Sequence, residues 1–345
     1  MTGQIPKTMK AIQVDHTGGP EVNKLVEIPV PEPKDNEVLI KVHYTGVNFI
    51  DTYFRTGLYP KPTPYIVGQD AIGTLVTLPT SYTQPDHYPS NLPPLKVGTR
   101  VLTLQGPSFA EYMTVPLSKV VALPENVDPK DGVALATTSF TSWGLVTESY
   151  KVKKGDWVFI RAASGGVGTV LCQMCAHIGA NIIAQTSTEE KAKLAKENGA
   201  QNVLLSTLSS EETVKKTMEL TNGLGCQVIY DGIGKDTFEE NFLLVRRLGT
   251  IALFGNASGP PPSFSPLKLS PKALKITRPQ MNAMLETPEE FNDFAGHIFE
   301  LYSKGAVKAY IHKTYPLTAE AVAQAQVDIT SRGTTGKLII EVAPF

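Results

Sequence analysis

The stretch from Asp156 to Gly168, DWVFIRAASGGVG, constrains this chain more than any other. Trp157 to Ile160 is a short apolar run flanked by charge, the pattern of a strand buried on both faces. A glycine cluster follows. From Val167 the apolar residues Val170, Leu171, Met174, Cys175 and Ile178 recur at helical spacing until Gly179 stops them. Strand, glycine turn and helix in that order build a dinucleotide-binding unit, because helix-terminal amides and close backbone approach together can hold a pyrophosphate. Set on G-x-G-x-x-G, the three positions hold Ala163, Gly165 and Gly168, so the first glycine is replaced by alanine. From that motif alone, a glycine turn with no ligand would look the same.

The flanking segments distinguish the two. Ala180 to Gln185 fits a second strand, Ser187 with Glu190 a capping box, and the helix behind them runs to Gly199. Asn202 to Leu205 and Gln227 to Tyr230 are further strands, separated by a helix from Ser210 to Leu220. A helix from Thr237 to Arg247, stopped by Gly249, and a strand from Thr250 to Phe254 complete the series. Such alternation predicts an α/β fold, a doubly wound parallel sheet of Rossmann type with its ligand at the carboxyl ends of the strands.

The chain has a different period at its front. Val38, Ile40, Val42 and Tyr44 alternate as on a half-buried strand, and Met9–Val14, Tyr65–Leu78, Arg100–Leu104, Ala110–Val115 and Val120–Ala122 are short strand candidates. With one helical turn at Asn48–Arg55, they predict a twisted β-barrel. Pro79 to Pro94, with five prolines, is expected to be an exposed insertion rather than a lid. Beyond Phe254 come a strand at Leu274–Thr277 and a long helix opened by Thr287, Pro288 and Glu290 as N-cap, N1 and N3 and ended by Gly305. A strand at Ile311–Tyr315, a helix at Thr318–Ile329 and a strand at Lys337–Val342 follow.

At 345 residues and 41% hydrophobic content the chain can fill two cores. Its net charge of -1 indicates neither nucleic acid nor an anionic membrane as partner. No apolar run reaches transmembrane length and MTGQIPKTMK lacks a signal-peptide core, so a cytoplasmic protein is expected. The three cysteines make no secreted disulfide framework, and Cys172 and Cys175 fit small apolar positions on a helix better than a redox or metal pair.

The words GVNFIDTYFRTGLYP (46–60), GQDAIG (68–73), AASGGVG (162–168), DGIGKDTFEENFLLVRRLGTIALFGNASG (231–259), ITRP (276–279) and SRGTTGKLII (331–340) occur in this order. In them the chain resembles, over nearly its whole length, the zinc-free quinone oxidoreductases of the medium-chain dehydrogenase/reductase superfamily, the ζ-crystallin group. The resemblance implies a discontinuous GroES-like β-barrel catalytic domain at 1–135 and 285–345 around a Rossmann domain at 136–284. It also implies a homodimer, paired through the strand near Leu274–Thr277.

Metal is not expected. Where zinc-dependent relatives place cysteine and a G-H-E word, this chain has Asn48 with Asp51, then Gly68, Gln69 and Asp70, and carboxamides are poor zinc ligands. The remaining chemistry is hydride transfer to a quinone or other conjugated carbonyl, whose developing oxyanion needs only hydrogen-bond donors. By the resemblance, Asn48, Asp51 and Tyr53 line the site beside the nicotinamide, with Tyr53 as donor, Asn48 as the orienting group and Asp51 as its support. The bland alternative is that Asn48 caps the short helix while Tyr53 packs on the barrel. The coenzyme-binding set is Ala163, Gly165, Gly166, Val167, Gly168, Ser187, Lys191, Asn256 and Arg332. NADPH is expected over NADH, because Gln185, Thr186 and Ser187 offer no carboxylate to the ribose while Lys191 and Arg332 match family residues that contact the 2′-phosphate. Two alternatives stay open: an NADPH-dependent alkenal or enone C=C reductase, and a low-turnover NADPH-binding structural protein of crystallin type.

Overall fold

In the computed structural model of the protein, which describes residues 5–344, the front of the chain forms β1 (Thr8–Val14), β2 (Asn23–Pro29), β3 (Glu37–Val47), α1 (Phe49–Thr56), β4 (Tyr65–Ile66), β5 (Ala71–Leu75), β6 (Arg100–Thr103), β7 (Tyr112–Pro116) and β8 (Val120–Ala122). Helix α2 (Pro129–Gly144) leads into the alternating stretch: β9 (Trp157–Ile160), α3 (Gly166–Ile178), β10 (Asn181–Thr186), α4 (Glu189–Glu197), β11 (Asn202–Leu205), α5 (Ser210–Leu220), β12 (Cys226–Asp231), α6 (Phe238–Leu244) and β13 (Val245–Leu253). Then come β14 (Lys275–Thr277), α7 (Met281–Met284), α8 (Pro288–Ser303), β15 (Ile311–Pro316), α9 (Ala319–Thr330) and β16 (Lys337–Glu341). Contacts divide the chain into two units, Met1–Thr138 with Glu286–Phe345, and Ser139–Leu285. No described helix is long and apolar enough to cross a membrane.

The second unit holds a parallel sheet in the order β11-β10-β9-β12-β13-β14. Strand order reverses between β9 and β12, the crevice where doubly wound sheets bind ligands. Phe159, Ile183, Ile229 and Ile251 are wholly buried in its core, with Phe238 and Phe242 of α6 packed edge to face at 5.2 Å. Two local expectations need correction. The cap of α4 is Thr188, whose hydroxyl accepts the Lys191 amide at 3.3 Å, so the start is one residue later than a Ser187–Glu190 box requires. Helix α6 stops at Leu244 and does not reach Arg247. Val245, apolar at helical spacing, is drawn into the sheet core opposite Cys226, and the ladder resumes only at Val228 with Thr250, so Arg246 to Leu248 bulge outward.

The first unit contains a sheet of β15-β16-β3-β5-β6-β8, with β7 also paired to β3, and a smaller sheet β2-β1-β4. β3 is therefore central, and both of its faces are covered: Leu39 and His43 are buried as well as Val38, Ile40, Val42 and Tyr44. The half-buried strand predicted from alternation gives way to one buried along most of both faces, with Glu37 and Lys41 partly exposed. The run Tyr65–Leu78 is broken at residues 67–70, where Gly68 takes φ 105° and a Cβ would lie 2.2 Å from Ser108 Oγ. The break sets Asp70 at the foot of β5. β2, with charged residues interrupting its apolar ones, has no counterpart among the sequence-derived strands.

The Pro79–Pro94 loop is pinned to its own unit. The hydroxyl oxygen of Tyr88, buried, accepts a hydrogen bond from the Ala122 amide at 2.8 Å, and Asn91 Nδ2 donates to Gly296 O on α8 at 2.9 Å. Leu92 is also buried while Thr83 to His87 are exposed, so the segment is an exposed insertion anchored at Tyr88 and Leu92.

Candidate functional site

At the carboxyl edge of the parallel sheet, the turn after β9 delivers the chain into α3. Gly165 is the N-cap, and the amides of Gly166, Val167 and Gly168 open the helix without carbonyl partners four residues back. A Cβ on Gly165 would meet only Ala162 O, at 3.3 Å, whereas one on Gly168 would lie 2.3 Å from that oxygen and 2.7 Å from Ala163 Cα. The two glycines thus do different work. Gly168 lets the helix lie against the turn, and Gly165 leaves the approach to the helix amides open. An anionic phosphate fits this cradle, since both the amides and the helix dipole favour negative charge.

The left-handed residue of the turn is Ala162, at φ 49°, one position before the expected replacement at Ala163. Ala163 itself is wholly buried and its amide donates to Gln185 O at 3.0 Å. It braces the turn on β10 and has no amide to offer a ligand. Ser187, exposed, and Lys191, half-buried on the first turns of α4, follow β10. Asn256 is buried in the loop after β13, which Arg278 holds through bonds to Leu253 O and Gly255 O, both at 2.9 Å. Arg332 lies in the first unit, exposed at φ 63° between α9 and β16.

Arg161, the last residue before the turn, has no role in the motif-based expectations, yet it organises this edge. Its guanidinium is 1% exposed and donates to Asn241 Oδ1 at 2.9 Å, Gln185 Oε1 at 2.6 Å and Glu240 Oε1 at 2.8 Å. Asp231 completes the network, accepting from Asn241 Nδ2 at 2.6 Å, Thr237 Oγ1 at 2.7 Å and the Ile233 amide at 2.7 Å. The ends of β9, β10 and β12 and the start of α6 are tied together. A charge closing an otherwise apolar buried strand is the signal that could have marked Arg161.

In the first unit, β16 runs antiparallel to β3 with Ile339 opposite Gly46 and Leu338 opposite Val47. That register carries Lys337 to Asn48. Lys337 Nζ donates to Asn48 Oδ1 at 2.5 Å and stands 3.7 Å from Asp70 Oδ2. Asn48 Nδ2 donates to Gly46 O at 3.1 Å, and the Asn48 amide donates to Asp51 Oδ2 at 2.8 Å. Asp70 accepts the Gly46 amide at 2.9 Å and the Thr137 hydroxyl at 2.5 Å. All four side chains are buried. Asn48 is the N-cap residue of α1, as the bland expectation had it, but its carboxamide oxygen is held by Lys337.

Burial pushes the Asp51 carboxyl up to about 7, with the like charge of Asp70 adding to the effect, against lowering by the Asn48 amide, Lys337 and Lys61. Burial lowers Lys337, opposed by Asp70 and Asp51. Tyr53, half-buried on α1, packs edge-on to Tyr59 at 5.2 Å. Lys61 lies over the rings of Phe54 and Tyr65 at 4.9 and 4.4 Å. Lys337 is absent from the sequence-derived site set and Asp70 enters it only beside Gln69, because nothing local in the sequence pairs either with Asn48.

Cys172 and Cys175 are buried on α3, and burial pushes the Cys172 thiol up to about 12, so neither offers a ready thiolate. Among the described residues no group of three or more His, Cys, Asp or Glu could hold a metal ion. Gln69 Nε2 donates to Gly68 O at 2.9 Å, and the side chains of Gln69 and Asn48 are carboxamides, which are poor zinc ligands.

Residues 34–125 match the family model of the alcohol dehydrogenase GroES-like domain, and residues 166–300 that of zinc-binding dehydrogenase. A quinone oxidoreductase of Pseudomonas aeruginosa is 34% identical over 96% of this chain and 99% of its own. A 2-haloacrylate reductase of Burkholderia is 30% identical over 96% and 98%. Among solved structures, a mycobacterial protein complexed with NADPH superposes with a TM-score of 0.91 at 36% identity, covering 97% of this chain and all of that one. Escherichia coli quinone oxidoreductase complexed with NADPH gives 0.88 at 29%, covering 96% of this chain and all of that one.

Proposed function

Since the chain belongs to the quinone oxidoreductase family of the medium-chain dehydrogenase/reductases, we propose that it is a zinc-independent oxidoreductase that transfers reducing equivalents from NADPH to quinones. The observation that carries this is the open cradle of helix amides at Gly165–Gly168, and within the first unit a buried carboxamide held by an ammonium supports an acceptor site that needs no metal.

Bound NADPH supplies the hydride. The chain's own residues bind and orient. The amides of Gly166, Val167 and Gly168 would hold the pyrophosphate, Ser187 and Asn256 would add polar contacts to the coenzyme, and Lys191 and Arg332 would favour a phosphorylated ribose. On the acceptor's side Asn48 and Tyr53 donate hydrogen bonds to the developing oxyanion, and Asp51 fixes Asn48 through its backbone amide. A quinone needs little more, since holding donor and acceptor carbons roughly 3 to 3.5 Å apart supplies much of the acceleration.

The relationship to a 2-haloacrylate reductase supports a second acceptor class, activated C=C bonds, which use the same hydride geometry. Steady-state NADPH oxidation with 9,10-phenanthrenequinone and 1,4-benzoquinone, set beside 2-alkenals, separates the two. Faster turnover of the quinones is expected; turnover confined to alkenals rejects the quinone assignment, and none with either leaves the low-turnover structural alternative. The same proposal includes a cytoplasmic homodimer. β14 is an edge strand of the six-stranded sheet, free to pair with its copy, and a monomer mass in light scattering at micromolar concentration would reject that pairing.

A further inference from the structure

We propose that Lys337 is a positioning residue for hydride transfer, clamping the carboxamide oxygen of Asn48 so that its amide nitrogen faces the acceptor; this rests on the reductase function proposed above. The two ends of a carboxamide are nearly the same size, and an asparagine can present either its acceptor or its donors. An ammonium has donors only. With Lys337 Nζ 2.5 Å from Oδ1, and one N–H of Nδ2 directed to Gly46 O at 3.1 Å, the second N–H is the group left to Asn48 for an incoming oxygen. The charge also polarises the amide and makes that N–H a stronger donor, as charge-assisted bonds do.

The packing around the clamp is built for it. A Cβ at residue 46 would lie 2.6 Å from Lys337 Cε and 2.7 Å from Asp70 Oδ1, so only glycine there admits both groups. Asp70 balances the ammonium from 3.7 Å and is itself fixed by the Gly46 amide and Thr137. Stability does not account for the arrangement. A buried ion pair is often no better than apolar residues of the same volume, and Lys337 is 4% exposed. Methionine would fill the space without desolvating a charge.

The test compares wild type with Lys337→Met, Lys337→Gln, Asn48→Ala and the Asn48→Ala/Lys337→Met double variant. Each is measured for NADPH-dependent reduction of 9,10-phenanthrenequinone, for NADPH affinity by fluorescence, and for thermal unfolding. Lys337→Met is expected to lower kcat on the order of tenfold or more with NADPH affinity within twofold, and to cause no further loss in the Asn48→Ala background. Gln, a neutral donor, recovers part of the loss. A kcat within twofold of wild type in a folded Lys337→Met protein, or losses that add with Asn48→Ala, would overturn the clamp. The Asn48 side-chain amide resonance, read by nitrogen-15 NMR in wild type and Lys337→Gln, tests it without turnover and without the methionine variant. A shift on substitution supports the clamp and an unchanged resonance overturns it, even if the wild type reduces no quinone and the proposed function itself fails.

Discussion

Asp51 accepts the backbone amide of Asn48 through Oδ2 at 2.8 Å, while its Oδ1 is buried with no hydrogen-bond partner among the described residues. The carboxyl is raised from 3.8 to about 7, chiefly by burial and next by Asp70, with Lys337 and Lys61 pulling the other way. Between those two values the folded protein keeps a proton that the unfolded chain has lost, so this group stabilises the fold less as pH rises from 4 to 7. Asp51→Asn removes the titration and keeps the shape. Urea unfolding from pH 4 to 8 is expected to show the variant gaining on wild type across that window, by up to about 4 kcal/mol. A constant difference across the window would show that Asp51 is ionised throughout.

The glycines at 165 and 168 separate ligand approach from folding. Gly168→Ala forces a Cβ to within 2.3 Å of a backbone oxygen and must displace the turn, so a loss of a few kcal/mol in unfolding free energy is expected. Gly165→Ala meets one atom at 3.3 Å. Its melting temperature should stay near wild type while its Kd for NADPH rises at least tenfold, measured by calorimetry. If both variants behave alike, the cradle is a folding device only.

What was legible in the sequence was local. The strand, turn and helix around Gly165 and the Thr287–Glu290 capping box appear where a few adjacent residues dictate them. Misplacements arose where tertiary packing overrode a local pattern, as at Val245, which satisfies helical spacing and is taken by the sheet. The clamp on Asn48 was not legible at all. It joins residues 289 positions apart, through a β16–β3 register that no short window of sequence encodes. The resemblance supplied Asn48, Asp51, Tyr53 and the place of Asp70, and only the structure supplied Lys337 and Arg161.

Arg161 satisfies three acceptors from two other elements. Arg161→Ala leaves Glu240 and Asp231 without their buried cation, and breaking such a set by removing one partner costs roughly 3 to 5 kcal/mol. Urea denaturation should report a loss of that order. Arg161→Lys, which cannot reach Gln185, Asn241 and Glu240 together, should recover less than half of it. Stability unchanged in the alanine variant would mean that the network contributes nothing net.

Coenzyme choice follows from charge at the end of β10. The residues there, Gln185, Thr186 and Ser187, carry no carboxylate, and Lys191 stands half-buried within one turn of the start of α4. One cation about 4 Å from a phosphate contributes about 1 kcal/mol in water and more when shielded, a factor of about five or above in affinity. Lys191→Ala should therefore raise the Kd for NADPH at least fivefold and leave that for NADH within twofold, and Arg332→Ala should act in the same direction. Introducing a carboxylate by Ser187→Asp adds repulsion toward a 2′-phosphate and a partner for free ribose hydroxyls, so it should move preference toward NADH. Equal losses for both coenzymes in the Lys191 variant would show that the lysine supports the helix and does not read the phosphate.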